Sequence, residues 1–547
     1  MVSASKAPCP WPVFLIGFMG TGKSTVGRAL GGELGLPFID LDKLIEQDAG
    51  KPISEIFDDD GEDQFRSLET AALARVAGAE PAVIATGGGA PTVLHNLELM
   101  RDAGLIVTLD ASLDELARRV GEGESRPLWG EDVRALFERR APSYRQAHAV
   151  VPTDGRGITE VGRAVIEVVE CARKLEDETL ARSCFVRLEQ SLYPIVVDEG
   201  ALATAGATIG SQLDGLSSVA IISDDNVEPL YGAPLRDSLA AAGIEVKATV
   251  TVAAGEPSKS LSEFGRLCGE LVAAGLDRKS AVIALGGGVV GDLAGFVASS
   301  VYRGIRVVQV PTSLLAMVDS AIGGKTGINL ESGKNLAGSF WQPQLVIADP
   351  EALATLDRRE RRAAVGELCK YGLLDGEDLL VAIEGLVWGL GAEELPEDPG
   401  FREALAAVIR RCAMFKSWIV GRDEREQTGE RALLNLGHTI GHAIEAAEGY
   451  GQLVHGEAVA LGLLASCRVS AAVAGADPSL EDRVRAVLER AGLAVDIDSY
   501  LRDDVLERVK VDKKRTTAGV AFITVTRPGQ CDIKLQSPAG IARILKG

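Results

Sequence analysis

The chain has 547 residues, 46% hydrophobic and 25% charged, the balance of a globular protein with full cores, and its length suits about three to four ordinary domains. A net charge of −21 excludes a nucleic-acid surface, because phosphate backbones demand a basic stripe that this sequence lacks. Eight scattered cysteines with no CxxC pair argue against a disulfide framework and suit a reducing cytoplasm; no apolar run of about 18 residues suggests a membrane span.

The N-terminus carries one lysine and a short apolar run, Trp11 to Met19, that leads into a glycine-rich motif, unlike a signal peptide. From Pro12 to about Cys171, short apolar runs at 13–16, 82–86, 105–109 and 149–151 alternate with helical stretches, which predicts a parallel sheet with crossover helices. The charged segment that follows lacks an apolar stripe and reads as a linker, 173–184, or its helical lead-in. A second α/β series comes next, with strands expected at 193–197, 218–223, 245–252, 281–285, 306–310 and 345–349. After about Pro350 the strands stop, and the chain to about Arg490 is rich in Ala, Leu, Arg and Glu at helical spacing. The expected units are therefore 11–172, then 185–350 as an α/β half and 351–547 as a helical half of the second unit.

Gly17-Phe-Met-Gly20-Thr21-Gly22-Lys23-Ser24 fits G-x-x-x-x-G-K-[ST] between an apolar strand and a helical run that begins at Thr25. That context is what a P-loop requires: glycines let backbone N–H groups wrap phosphates, Lys23 reaches the transferred group, and Ser24 holds Mg²⁺. Asp40 and Asp42 sit at i and i+2 beyond a short apolar stretch, one suited to Mg²⁺ through water and the other to accepting a hydroxyl proton. Phe65-Arg66-Ser-Leu-Glu69, Gly87-Gly88-Gly89, Ser125-Arg126-Pro127-Leu128 and Arg139-Arg140-Ala-Pro-Ser-Tyr144-Arg145 complete the set. In this order the motifs resemble shikimate kinase over about residues 11–170. The resemblance implies a nucleoside-monophosphate-kinase-like P-loop fold and ATP bound by Gly20, Thr21, Gly22, Lys23, Ser24 and Thr25. It implies shikimate bound by Asp42, Arg66, Gly88 and Arg145, with Asp42 also orienting or deprotonating the attacking hydroxyl. Arg126 is implied as a lid arginine on the phosphates; Arg119 resembles the arginine that stacks on adenine, and its neighbour Arg118 is equally placed to do so. Trp129 stands where the family usually has a smaller aliphatic residue.

In the second unit, Gly286-Gly287-Gly288-Val289-Val290-Gly291-Asp292 follows a strand and opens a helical run, as a pyrophosphate cradle does. Gly255, Glu256, Lys259, Thr312 and Ser313 are further candidate contacts. Asp319, Lys325, Lys334 and Asn335 sit among glycines and apolar residues, which points to an anion site more than to surface solvation. Further on come Glu367, Lys370, Lys416, Arg431 and Asn435, and then His438, His442 and His455, three of the chain's five histidines within eighteen positions. Imidazole suits both zinc ligation and proton transfer. His438 and His442, at i and i+4, share a helical face as paired zinc ligands often do, so spacing alone leaves the pair open as ligands.

The motif order over about residues 185–547 closely resembles 3-dehydroquinate synthase. The resemblance implies a Rossmann-like NAD-binding α/β domain followed by a mostly α-helical metal-binding domain. Zn²⁺ or Co²⁺ is implied on Glu367, His438 and His455, leaving His442 to move protons. NAD⁺ is implied on Gly255, Glu256, Lys259, Gly288, Val289, Val290, Gly291, Asp292, Thr312, Ser313, Lys325 and Lys334. The sugar phosphate is implied on Arg303, Asp319, Lys325, Asn335, Lys370, Lys416, Arg431 and Asn435, of which Lys325, Lys370, Lys416 and Asn435 are also catalytic candidates. The family's reaction turns 3-deoxy-D-arabino-heptulosonate 7-phosphate into 3-dehydroquinate: NAD⁺ transiently oxidises an alcohol, phosphate is eliminated, hydride returns, and the ring recloses by aldol addition. The run from Glu426 to Arg431 is one residue longer than the family's, and Lys513 and Lys514 match a late basic motif. The expected protein is a bifunctional cytoplasmic enzyme, homodimeric through the synthase unit. The alternatives are another sugar-phosphate cyclase or a polyol dehydrogenase in the second unit, or a first unit that only senses ATP.

Overall fold

The computed structural model describes residues 9–121, 133–449, 452–509, 515–516 and 519–546. The chain divides into two compact units between Val196 and Val197.

In chain order the first unit contains β1 (Val13–Ile16), α1 (Lys23–Leu34), β2 (Phe38–Asp40), α2 (Leu41–Ala49), α3 (Ile53–Ala77), β3 (Val83–Ala85), α4 (Leu94–Ala103), β4 (Leu105–Asp110), α5 (Leu113–Gly121), α6 (Val133–Tyr144), β5 (Ala149–Pro152), α7 (Ile158–Ala172) and α8 (Asp177–Ala181). It closes on the antiparallel pair β6 (Ser183–Arg187) and β7 (Leu192–Val197). The first five strands form one parallel sheet in the order β2-β3-β1-β4-β5. All four residues of β1 are buried, as a central parallel strand covered on both faces requires, so the loop after Ile16 opens at the carboxyl edge of the sheet. The stretch 173–184 is not a bare linker: α8 forms there because Leu180 is buried, and β6 begins at Ser183.

The second unit contains α9 (Ala201–Gln212), β8 (Val219–Asp224), α10 (Ala233–Ala241), β9 (Val246–Val252), α11 (Leu261–Ala273), β10 (Ala281–Gly286), α12 (Gly288–Ser300), β11 (Arg306–Pro311), β12 (Lys325–Leu330), β13 (Gly333–Phe340) and β14 (Leu345–Ala348). Its helical half contains α13 (Arg358–Asp375), α14 (Glu377–Leu390), α15 (Pro399–Arg422), α16 (His438–Glu448), α17 (His455–Ala474), α18 (Ser479–Arg490) and α19 (Asp503–Val509), followed by β15 (Arg515–Thr516), β16 (Gly519–Arg527), β17 (Gln530–Gln536) and α20 (Pro538–Lys546). Strands β14, β11, β10, β8 and β9 are adjacent in that order and parallel.

All ten strands expected from apolar runs are present. Besides β6, which pairs antiparallel with β7, two further antiparallel elements were not expected. The hairpin β12–β13 is made of small and polar residues, with no apolar run to mark it. The sheet β15-β16-β17 interrupts the helical half, and its signal was an alternating stretch around the Pro528-Gly529 turn. Helix α17 is long and apolar enough to cross a membrane, at mean hydropathy 1.5, an exception to the expectation that no such segment exists; 67% of that window is buried within the protein. It is packed as a core helix.

Glycines let α13, α16 and α17 approach closely. A Cβ on Gly462 of α17 would lie 1.9 Å from Gly437 O, one on Gly441 of α16 would lie 2.9 Å from Ala458 O, and one on Gly456 of α17 would lie 2.1 Å from Ala363 O of α13. Such backbone-to-backbone contacts cannot yield as a flexible side chain would. Gly462→Ala is therefore expected to lower the stability of the synthase-like unit by about 1–3 kcal/mol in denaturant melting; an unchanged midpoint would contradict the packing described.

Candidate active sites

In the first unit, Gly17 opens the loop at φ 138°, and a Cβ there would lie 2.4 Å from Leu109 O, so only glycine fits. Gly20 and Gly22 also have positive φ, and α1 begins at Lys23 with Ser24 and Thr25 in its first turn. Lys23 Nζ donates to Gly17 O at 2.8 Å and Phe18 O at 3.1 Å, arching over the loop, and Thr21 Oγ1 donates to Phe18 O at 2.9 Å. Asp40 ends β2 and Asp42 lies in the first turn of α2. Burial raises the Asp42 carboxyl above its ordinary range, and Lys23 opposes that rise.

Arg66 Nη1 donates to Glu69 Oε2 at 2.7 Å, and Glu69 is fully buried. A Cβ on Gly87 would lie 2.7 Å from both Asp42 Oδ1 and Glu69 Oε1, and one on Gly89 2.3 Å from Arg66 Nη1, so the triple glycine brings both carboxylates and the guanidinium against one turn. The second arginine at this turn is Arg140, whose Nη1 lies 3.4 Å from a Cβ position on Gly88; Tyr144 Oη donates to Gly88 O at 2.6 Å. Arg140 and Tyr144 share a face of α6 at i and i+4; Arg145, the expected residue, directly follows the helix's last residue, Tyr144.

Arg118 and Arg119 both pair with Glu115, but Arg119 also donates to Gly20 O at 3.5 Å and to Thr153 Oγ1 and O at 3.0 and 2.6 Å, against the loop, whereas Arg118 is exposed. Arg126 and Trp129 lie outside the described residues.

In the second unit, a cleft of about 2490 Å³ lies at the carboxyl ends of β8, β10 and β11 and is bordered by the helical half. Of the expected dinucleotide contacts, Gly255, Glu256, Lys259, Gly288, Val289, Asp292, Thr312, Ser313, Lys325 and Lys334 line it. Val290 and Gly291 do not: Val290 is fully buried in the core, and a Cβ on Gly291 would lie 2.8 Å from Gln309 Oε1, so these positions seat α12 on the sheet. Lys259 Nζ, itself buried, bonds Asp292 Oδ2 at 2.7 Å and Asn335 Oδ1 at 2.5 Å. Asp224, at the end of β8, also lines the cleft and was not singled out from sequence.

Asp319, Asn335, Lys416, Arg431 and Asn435 line the same cleft. Asp319 Oδ1 accepts from Lys416 Nζ at 2.6 Å and Tyr371 Oη at 2.7 Å. Burial alone would raise Asp319, yet Lys370 and Lys416 hold it well below the carboxylate range. Burial pushes Lys416 down to about 8, with Asp319 opposing and Arg431 reinforcing. Arg431 donates to Gly323 O at 3.1 Å and Glu424 O at 2.5 Å. Glu426 lines the cleft at φ 58° and pairs with Lys325. Arg303 is exposed, with φ 67°, and is not among the cleft-lining residues. Lys513 and Lys514 lie outside the described residues.

The histidines meet Glu367 beneath the cleft. His438 Nε2 lies 3.3 Å and His455 Nε2 3.2 Å from Glu367 Oε1, and Lys370 Nζ lies 2.5 Å from Oε2. Glu367 is fully buried, and neither of its oxygens has a well-formed hydrogen bond. A buried carboxylate oxygen with two imidazole nitrogens converging on it, its other oxygen held by Lys370, is a donor set that fits a divalent cation. His438, His442 and His455 also place one nitrogen each within 4.8 Å of one another, but His438 is buried and His442 exposed.

A P-loop phosphotransferase unit joined to a dinucleotide-fold unit with a carboxylate–histidine pocket defines the class. The first unit matches the shikimate kinase model over residues 19–170. The second matches the 3-dehydroquinate synthase N-terminal model over 249–363 and the C-terminal model over 364–515. The 3-dehydroquinate synthase of Symbiobacterium thermophilum is 44% identical over 347 residues, 63% of this chain and 94% of that protein. That of Brucella suis is 43% identical over 372 residues, 66% and 95% of the two chains. The structure of ValA, the 2-epi-5-epi-valiolone synthase of Streptomyces hygroscopicus, with NAD⁺ and Zn²⁺ bound, is 27% identical at TM-score 0.56, covering 66% of this chain and 97% of that one. The chain belongs to the 3-dehydroquinate synthase family and carries a shikimate kinase domain ahead of it, which makes it a bifunctional shikimate-pathway enzyme acting on small molecules.

Lys416 yields a test that needs no substrate. With its amine held at about 8, it is charged below that pH and neutral above it. Its ¹⁵N-labelled amine, assigned by the loss of its signal in Lys416→Arg, is expected to titrate near pH 8 by NMR; titration with the bulk lysines above 10 would contradict its burial beside Arg431.

Proposed function

We propose that Lys23, Asp42, Arg66 and Arg140 carry phosphoryl transfer from ATP to shikimate, and that Glu367, His438 and His455 hold the divalent cation on which the synthase unit depends. The observation that carries the second assignment is the buried Glu367 carboxylate, paired with Lys370 through Oε2, whose Oε1 faces two imidazole nitrogens.

In the kinase unit, Gly17 to Ser24 cradle the nucleotide phosphates and Ser24, with Asp40 through water, holds Mg²⁺. Arg119 borders the nucleotide. Arg66 and Arg140, flanking the glycine turn with Gly88, suit a carboxylate in the forked geometry that lysine lacks. Asp42, raised by burial, orients the hydroxyl and accepts its proton.

In the synthase unit, NAD⁺ when bound supplies hydride acceptance and return, and Zn²⁺ or Co²⁺ supplies polarisation of the substrate oxygen. The chain supplies the rest. The N-terminus of α12 at Gly288, with Thr312, Ser313 and Lys259, receives the dinucleotide; Lys416, Lys325, Asn335, Arg431 and Asn435 grip the carboxylate and phosphate of the heptulosonate. Exposed His442 moves protons at the cleft floor. Asp319 fixes Lys416 and Tyr371 in place.

A second copy is the expected partner of this unit; Arg303 is exposed and does not line its own cleft, which leaves it available to such a partner. The enzyme works in the cytoplasm, as its eight free cysteines suit. Identity of 43–44% with 3-dehydroquinate synthases against 27% with the valiolone synthase favours this cyclase over other sugar-phosphate cyclases.

Lys23→Ala is expected to reduce shikimate-dependent ADP formation by at least about 10²-fold and to spare phosphate release from the heptulosonate. Glu367→Ala is expected to do the reverse. Both assays run on each purified variant decide the matter, and parallel loss of both activities in either one would sink the assignment to separate sites.

A further inference from the structure

Glu445 takes part in none of the steps above, yet its place is unusual. It follows His438 by seven residues on α16, two turns along the same face, and its side chain is only 8% exposed. One oxygen, Oε1, accepts from Lys334 Nζ at 2.7 Å; the other, Oε2, lies 3.5 Å from His455 Nδ1. The opposite nitrogen of that imidazole, Nε2, is the one 3.2 Å from Glu367 Oε1.

A neutral imidazole carries one N–H and one lone pair, and an acceptor at Nδ1 selects the form whose lone pair is on Nε2. His438 has the equivalent device in backbone form, with Nδ1 3.1 Å from Leu436 O and Nε2 facing the same Glu367 oxygen. The two rings are thus anchored alike from behind, one by a carbonyl and one by a carboxylate. Lys334 stands at the start of β13, so the carboxylate behind His455 is itself held by the hairpin that borders the cleft.

We propose that Glu445 is a positioning residue that fixes the tautomer and orientation of His455 for the divalent cation, with Lys334 holding Glu445 in that pose. This rests on the reading of Glu367, His438 and His455 as the cation site. The full-length chain, stripped of metal, is titrated with Zn²⁺ against a chromophoric chelator, with His455→Ala, Glu445→Ala, Glu445→Gln and Lys334→Met alongside. Glu445→Ala is expected to weaken Zn²⁺ binding about 10–100-fold with its melting curve preserved. Glu445→Gln, which keeps an oxygen acceptor for Nδ1–H, should recover most of the loss, and Lys334→Met should lose less than Glu445→Ala. In the Zn²⁺-loaded chain, ¹⁵N shifts of His455 should report a protonated Nδ1 and a metal-bound Nε2 in the wild type, and a mixture of ring placements in Glu445→Ala. If Glu445→Ala binds Zn²⁺ as the wild type does while His455→Ala does not, the positioning role is overturned and the cation site stands. If the wild type fails to bind Zn²⁺, or His455→Ala binds it equally, the cation site itself is wrong and the proposal falls with it.

Discussion

Glu367 places a carboxylate where no water reaches it, and the synthase unit is arranged around that charge. An ionised carboxylate in the interior costs several kcal/mol unless cations and hydrogen-bond donors surround it. Lys370 meets one oxygen, and His438 and His455 converge on the other, from three different helices. They converge because glycines let the helices come close: Gly456 lets α17 meet the α13 backbone at Ala363, Gly441 and Gly462 let the α16 and α17 backbones meet, and Gly437 seats against Leu463. Backbone packing therefore sets the spacing of the donor atoms. Lys370 is held protonated by Asp319 and Glu367 against the pull of burial, and so it offsets the carboxylate without competing for Oε1.

The same economy of local charge appears in both units. A chain of net charge −21 must bind anionic substrates against its own field. In the kinase unit the positive groups gathered for this are the P-loop backbone N–H groups and the arched Lys23, with Arg66 and Arg140 at the glycine turn, the set proposed above for substrate. The synthase unit instead buries its cations, Lys259, Lys370, Lys416 and Arg431, each tied to a carboxylate or carbonyl that fixes its direction. Burial loosens the proton on Lys416 and leaves it poised near neutral pH.

Much of this was legible in the sequence, for identifiable reasons. Strands of a parallel sheet are apolar on both faces, so all ten expected runs form strands, and the P-loop string carries its own geometry. Patterns that depend on tertiary approach were not legible. The hairpin β12–β13 has no apolar period because it is half exposed. Val290 and Gly291 belong to the glycine-rich string but face the sheet, which a string cannot reveal. Arg140 was visible only as one of several arginines near Tyr144 until the fold set it beside Gly88. Glu445 had a weak signal, its seven-residue spacing from His438, but its partners lie 111 and 10 residues away. The ligand assignment of Glu367, by contrast, came from family resemblance; spacing alone left His438 and His442 as an equally good pair.

That last choice is the centre of the account, since a three-histidine cluster and a Glu367 site use the same two rings, His438 and His455. Diffraction from crystals soaked in Zn²⁺, recorded at the zinc absorption edge, locates the ion directly. The account predicts a single anomalous peak within about 2.0–2.2 Å of Glu367 Oε1, His438 Nε2 and His455 Nε2, with His442 off the metal. A peak bonded to His442, with the Glu367 carboxylate turned toward Lys370 alone, would contradict it.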